Sequence, residues 1–156
     1  MTGNPPAPSR HELILDLPAV HREVRVARNV VRHFARLSGM ADREVDYVIL
    51  VASELLANAI DHGGGDAALT EGEHDGVRMR LQLAIEAREW VLSVTDQGGG
   101  DPEELRALFA RGEKPDLATD RGRGLFLLAQ MLDRLEVTAS ERGDGLTFRA
   151  VRRYEP

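Results

Sequence analysis

The sequence predicts a two-layer α/β sandwich, in which helices cover one face of a mixed, mostly antiparallel sheet. Segments with strand character come first singly and then in two pairs, with helical segments between these groups. Because strands do not alternate one-for-one with helices, a doubly wound parallel sheet is disfavoured. The 156 residues, 42% of them hydrophobic, suffice for one domain with a complete core.

The first part of the chain predicts a tail, a strand and a helix. Residues 1–10 contain three prolines and almost nothing apolar, so we expect a disordered tail followed by a single domain over 11–156. Alternation over 11–17 predicts a strand. Pro18 suits the first turn of a helix. That helix carries one apolar stripe as far as Gly39, made of Val20, Val24, Ala27, Val31 and Phe34.

The remaining elements are predicted by periodicity and by glycine and proline punctuation. A second helix is expected from Asp42 to His62, where three glycines stop it. Two strands follow over 77–87 and 90–95. A short helix opens at Pro102, and 111–121 is polar and irregular. A last helix is expected over 122–135, before a hairpin of 137–140 and 146–152.

Composition excludes several classes of function. The chain has no cysteine, which rules out disulfides, a thiolate zinc site and a cysteine nucleophile. The longest apolar run covers only 47–52, far below the roughly 18 residues that a membrane span needs. The start does not resemble an export signal, so we expect a cytoplasmic protein without membrane contact. A net charge of −6 gives no reason to expect direct nucleic-acid binding.

Charge is nevertheless distributed unevenly along the two long helices. Residues 18–38 carry five arginines against one acid, whereas residues 41–75 carry nine acids against one arginine. The pattern indicates either a basic helix with a binding role or two solvated faces.

The second helix contains polar residues in an otherwise apolar stretch. Glu54 and Asn58 lie four residues apart and share one face, which Asp61 and His62 continue. We expect the helix to be mostly buried. A buried carboxylate without a partner costs several kcal/mol, roughly, so these positions need an explanation. Either Glu54 pairs with an arginine of the first helix and Asn58 caps nearby backbone, or both serve a ligand.

Three further motifs follow in the chain. Asp96 ends a strand and precedes three glycines, which either form a simple turn or let the backbone approach a flat ligand. Residues 121–125 (RGRGL) precede an apolar helix, an arrangement that either allows close packing or binds an anion. Gly145 to Phe148 could belong to any hairpin. The phosphate-loop and dinucleotide-binding fingerprints are both absent from the sequence.

Taken in order, these motifs resemble those of the GHKL ATP-binding superfamily, which includes gyrase-type ATPases, heat-shock chaperones, mismatch-repair ATPases and histidine kinases. The resemblance covers about residues 45–150. Its first box is similar to residues 54–62 (ELLANAIDH), its second to 96–100 (DQGGG) and its third to 122–125 (GRGL). The resemblance implies the GHKL fold and the cofactors ATP and Mg²⁺.

The resemblance also implies a role for each matching position. Glu54 would be the general base, Asn58 would hold Mg²⁺, and Asp61 and His62 would border the site. Asp96 would accept from the adenine amine, while Gly98 and Gly100 let the ring lie close. The phosphates would meet Gly122, Arg123, Gly124 and Leu125. Thr147 would close the adenine pocket, and Lys114 would reach a phosphate from a lid over 101–121.

Within the superfamily, the chain resembles the anti-sigma-factor serine/threonine kinases (RsbW-like). We find no histidine-bearing hairpin and no second transducing domain, as histidine kinases and gyrase-type ATPases have. The resemblance implies a homodimer that binds a sigma factor and phosphorylates a small antagonist protein. Partners would dock on the first helix at Arg25, Arg28 and Arg32, unless that face is simply solvated. The alternative function is a nucleotide-gated binding module with negligible phosphotransfer.

Overall fold

Residues 9–62, 76–98, 100–110 and 120–155 are described by a computed structural model, and their order of elements confirms the predicted one. The elements are β1 (His11–Pro18), α1 (His21–Leu37), α2 (Asp42–Asp61), β2 (Arg78–Ile85), β3 (Glu89–Thr95), α3 (Pro102–Ala110), α4 (Asp120–Met131), β4 (Arg134–Ala139) and β5 (Leu146–Arg153). Residues 1–8 of the predicted tail, the loop after α2 and most of the predicted irregular stretch lie outside the described residues.

The five strands form one open sheet in the order β1-β2-β3-β5-β4. All four pairings in the described part are antiparallel, so the expected mixed sheet is here purely antiparallel. Alternate residues face the helices, and the central strands β2 and β3 bury every second side chain. Helix α2 packs on these two strands, which confirms a sheet covered on one face. No helix within these ranges is long and apolar enough to cross a bilayer.

Strand pairing explains why two of the predicted boundaries are wrong. Pro18 ends β1, where it pairs with Arg78, and α1 begins only at His21. Proline is tolerated there because β1 is an edge strand. At the other end of the chain, Arg134 and Leu135 pair with β5 and belong to β4, whereas helix periodicity assigned them to the last helix.

The buried carboxylate of α2 is Glu44 and not Glu54. Glu44 is 7% exposed and accepts hydrogen bonds from Trp90 Nε1 at 3.1 Å and from Arg152 Nη2 at 3.1 Å. Arg152 also donates to the carbonyl of Met131 at 2.5 Å. Its hydrogen bond to Glu44 raises the pKa of Arg152. The pair therefore fastens the start of α2 to the ends of β5 and α4.

The Glu44–Arg152 pair is expected to stabilise the fold substantially. Arg152→Met leaves a largely buried carboxylate unpaired, so the free energy of unfolding should fall by about 3 kcal/mol in urea titrations. The matched control is Arg153→Met, because Arg153 forms an exposed pair with Glu89 and should lose less than about 1 kcal/mol. Equal losses in the two variants would contradict a special role for the buried pair.

Candidate functional site

A cleft lies between the last turns of α2 and the first half of α4. Its volume is about 170 Å³. The lining residues are Glu54, Ala57, Asn58, Asp61, His62, Gly124 and Leu125. The fold thus brings together six residues that the sequence singled out in two separate motifs more than 60 positions apart.

Glu54 and Gly124 mark the closest approach of the two helices. A Cβ atom at Gly124 would lie 3.0 Å from Glu54 Oε2, so this position has little room for a larger residue. The expectation that Glu54 is buried is wrong, because its side chain is exposed at the mouth of the cleft. Glu54 is one turn beyond the exposed Leu50, on the side of α2 that the sheet does not cover. The carboxylate can therefore be reached from solvent.

Asn58 is buried without being satisfied. It is 8% exposed, and neither its Nδ2 nor its Oδ1 has a hydrogen-bond partner within the described part of the chain. The expected alternative, in which Asn58 caps neighbouring backbone, is therefore not seen there. An unsatisfied buried amide costs about 1–3 kcal/mol, so its position in the wall of a cleft points to a ligand.

Asp61 and His62 end α2 at the rim of the same cleft. Asp61 Oδ1 lies 2.8 Å from Nε2 of His21, which joins the end of α2 to the start of α1. The backbone N–H of His62 donates to the carbonyl of Asn58 at 3.0 Å and closes the helix. The Asp61 side chain is thus held by the protein.

Asp96 is fixed by backbone at the end of β3. It is 2% exposed, and its Oδ1 accepts from the N–H of Leu146 at 3.0 Å and of Gly98 at 3.2 Å. A Cβ atom at Gly145 would lie 2.0 Å from the Asp96 carbonyl oxygen, so β5 can approach only with glycine there. A Cβ atom at Gly100, where φ is +131°, would lie 3.1 Å from Cδ1 of Leu146. Asp96 and Gly100 therefore both lie close to the start of β5.

The structure does not place Thr147 on the helix side of the sheet. The two neighbours of Thr147 on β5, Leu146 and Phe148, are buried, while Thr147 points to the open face and shares a 2.9 Å hydrogen bond with Thr95. A cavity of about 420 Å³ on that face includes Thr95, Thr147 and Asp96 in its lining. Strand alternation explains why Thr147 faces away from the helices: successive residues of a strand point to opposite faces, and Leu146 occupies the core side.

The remaining predicted phosphate contacts are only partly described. Gly122 and Arg123 lie within α4, which begins at Asp120 and not at Gly122 as expected. The side chain of Arg123, and Lys114 with the rest of 111–119, lie outside the described residues. The first part of the predicted lid is helix α3, which is tied to the sheet edge by a 3.0 Å bond from Arg106 Nε to the Val137 carbonyl.

The donor set fits a magnesium–triphosphate better than a metal held by protein alone. Within the described ranges, no group of three or more histidine or acidic side chains could hold a metal ion. Mg²⁺ prefers oxygen ligands and keeps several waters. The unpaired Asn58 oxygen can supply one protein ligand, and a bound triphosphate and water would supply the others.

The arginines predicted to bind partners lie away from the cleft, on α1. Arg25 and Arg28 are exposed, and no ion pair in the described part of the chain involves either of them. Arg32 is half-buried and donates to Asn29 Oδ1 at 3.0 Å. Two of the three cations are thus available on the surface.

A model of the histidine kinase-like ATPase domain matches residues 17–150. Among solved structures, the chain is similar to the SiaB–SiaC complex from Pseudomonas aeruginosa, with 18% identity, a TM-score of 0.61, and 89% of this chain and 88% of that one covered. It is also similar to the RsbU and RsbW domains of a Mycobacterium tuberculosis protein, with 16% identity and a TM-score of 0.56. This second match covers 94% of the present chain and 33% of the Mycobacterium tuberculosis chain. No curated protein matches the chain.

Proposed function

Because the chain belongs to the histidine kinase-like ATPase domain family, we propose that it binds Mg·ATP between α2 and α4 and transfers phosphate to a serine or threonine of a partner protein. The observation that carries the proposal is the buried Asn58 amide, which has no partner within the described residues and lies in the cleft wall. Family membership implies ATP binding, and the amide supplies a ligand where Mg²⁺ would be needed. Mg²⁺, when bound, would neutralise charge on the transferring phosphate.

The other residues are proposed to contact either adenine or the phosphates. Asp96 is proposed to accept from the adenine amine, since its carboxylate is buried and held in one orientation by backbone N–H groups. The proposed phosphate-binding residues are Gly122, Arg123, Gly124 and Leu125, with Lys114 in the lid. The first turn of α4 suits an anion because its N–H groups, which include those of Gly122 and Arg123, are not used within the helix and the helix dipole is favourable there.

Asp96→Asn tests nucleotide recognition. The amide can still accept the two backbone bonds through its oxygen, but its nitrogen cannot accept from adenine. We expect the Kd for Mg·ATP, measured by calorimetry, to rise about tenfold or more, as for loss of a charged hydrogen bond. Asp42→Asn, an exposed change in the first turn of α2, is the control and should bind like wild type. Equal affinities in Asp96→Asn and wild type would refute the adenine contact.

Glu54 is proposed to be the general base. Its carboxylate would take the proton of the acceptor hydroxyl as that oxygen bonds to the γ-phosphorus, while the bond from phosphorus to the ADP oxygen breaks and ADP leaves. Its exposed position supports this role, because an acceptor on another protein must approach from outside. The adjoining Gly124 keeps the space beside the carboxylate open.

Glu54→Gln should retain nucleotide binding and lose transfer. The amide keeps the shape of the side chain but cannot accept the proton, so the rate of phosphotransfer to protein should fall by about 10²–10⁴-fold. Labelled ATP and the dephosphorylated proteins of the source cell provide the assay, with Asp42→Asn as control. Undiminished transfer by Glu54→Gln would exclude Glu54 as the base. If wild type binds ATP and transfers nothing, the chain is the alternative, a nucleotide-gated binding module.

The partners we propose are a sigma factor and its small antagonist protein, docking on α1 at Arg25, Arg28 and Arg32. Exposed arginines without ion pairs suit an acidic protein surface. The similar solved structure from Pseudomonas aeruginosa is a complex of SiaB with SiaC, which supports a protein partner for a chain of this fold. The homodimer stays a prediction, which sedimentation of the purified chain tests.

Reversing the charge of Arg28 tests the docking face. Captured proteins are identified and quantified by mass spectrometry with wild type, Arg28→Glu and the control Arg88→Glu, which changes an exposed arginine on the turn between β2 and β3. We expect a sigma factor among the proteins held by wild type, and about tenfold less of it with Arg28→Glu only. Absence of any sigma factor, or equal capture by all three proteins, would contradict this docking role.

A further inference from the structure

Two contacts fix how α2 and α4 run past each other. At one end, Glu54 lies against Gly124, at the start of α4. At the other end, Arg152 bonds both to Glu44 on α2 and to the carbonyl of Met131, the last residue of α4. The helices are therefore antiparallel, and the contacts at their two ends set which turns face each other.

Leu50 and Leu127 stand at the same level between those two contacts. On α2, Glu44 and Glu54 are ten residues apart, and Leu50 lies four residues before Glu54. On α4, Gly124 and Met131 are seven residues apart, and Leu127 lies three residues after Gly124. Each thus lies about four-tenths of the way along its helix. At about 100° per residue, Leu50 lies about 40° around α2 from Glu54, and Leu127 lies about 60° around α4 from Gly124. Because the two helices are antiparallel, these rotations turn towards the same side, so helix geometry puts both leucines on one side of the cleft.

Both leucines are exposed. Leu50 is 45% exposed and Leu127 is 58% exposed, and they are two of only five large apolar side chains with such exposure in the described part of the chain. Scattered exposed leucines are ordinary, but two that helix geometry puts together beside a cleft indicate a contact surface. We call Leu50 and Leu127 the leucine pair.

The α2 side of the leucine pair is mostly acidic. The exposed residues of α2 between 43 and 61 are Arg43, Asp46, Leu50, Glu54 and Asp61, three acids and one base. No ion pair within the described residues involves Asp46, whereas Asp61 is held by His21. A segment with an apolar side chain and a basic one would complement this surface.

We propose that the leucine pair is the docking site for the acceptor segment of the protein substrate, the segment that carries the phosphorylated serine or threonine. The inference rests on the proposed kinase function and names what the substrate must carry. The segment has an apolar residue that packs on Leu50 and Leu127, which sets the acceptor hydroxyl at Glu54 one turn away. It also has a basic residue that faces Asp46. Burying the leucines in this way gives binding energy at the same place where the hydroxyl must be held.

The test distinguishes an effect on docking of the protein substrate from an effect on ATP binding or on phosphate transfer. The double variant Leu50→Asn/Leu127→Asn is compared with wild type and with Leu37→Asn, because Leu37 is 88% exposed at the far end of α1. The substrate is the principal protein that wild type labels in the dephosphorylated protein mixture, identified by mass and then purified. For each variant, the Kd for Mg·ATP, the rate of ATP hydrolysis without substrate, and KM and kcat for transfer are measured.

We expect the double variant to bind and hydrolyse ATP like wild type. Its KM for the protein substrate should rise about tenfold or more, the effect of leaving two leucines out of an interface, with a smaller change in kcat. Leu37→Asn should match wild type throughout. Asp46→Lys should also raise KM, since it faces the proposed basic residue with a like charge.

Three outcomes would overturn the proposal that the protein substrate docks on the leucine pair. An unchanged KM in the double variant would show that the substrate does not touch the leucines. Loss of ATP binding would show that the leucines are structural. A dimer of wild type that becomes monomeric in the double variant during sedimentation would show that a second copy of the chain covers them. If wild type transfers no phosphate at all, the proposed kinase function is wrong. If wild type transfers phosphate and the double variant transfers it equally well, only the proposed role of the leucine pair is wrong.

Discussion

Helix α2 has to be buried along one side and still present polar groups at its C-terminal end, and the rest of the structure depends on how this is solved. Its core side chains pack on β2 and β3 with almost no exposure. Its first turns are fastened by Glu44, whose charge is matched by Arg152 and Trp90. Towards the other end, Asn58 is left without a partner among the described residues. The helix is thus stabilised by one satisfied polar group and carries another that the described protein atoms do not satisfy.

The close contact of α2 with α4 follows from the same arrangement. Arg152 holds the end of α4 through the Met131 carbonyl, and this positions the start of α4 against Glu54. At that point a Cβ atom would lie 3.0 Å from the Glu54 carboxylate, and Gly124 leaves this space open. The motifs that contain Glu54 and Gly124 therefore meet while the opposite ends of their helices are tied to one arginine. A change at Arg152 would act on the cleft through helix position, without touching any ligand.

The sequence predicted the elements and the motifs well because these depend on local patterns. Periodicity identified all nine elements, and the order of motifs indicated the family that the comparison then showed. Long-range contacts explain what it did not predict. Glu44 looked like an ordinary acid in a first helical turn, and only its pairing with a residue 108 positions away reveals the buried ion pair. The sequence does not show that Thr147 lies on the open face of the sheet, because the face of a strand residue depends on the register with β3, which the sequence leaves open by one residue.

The exposure of Glu54 bears on what kind of reaction the cleft can support. A base that solvent reaches can activate water as readily as a hydroxyl, so an uncovered site favours slow hydrolysis. A substrate protein that packs on the neighbouring leucines would cover the carboxylate and exclude water at the moment of transfer. Binding of the protein would then select the acceptor hydroxyl over water. On this view the incomplete burial of the base is part of the specificity, because the protein substrate supplies the missing wall of the site.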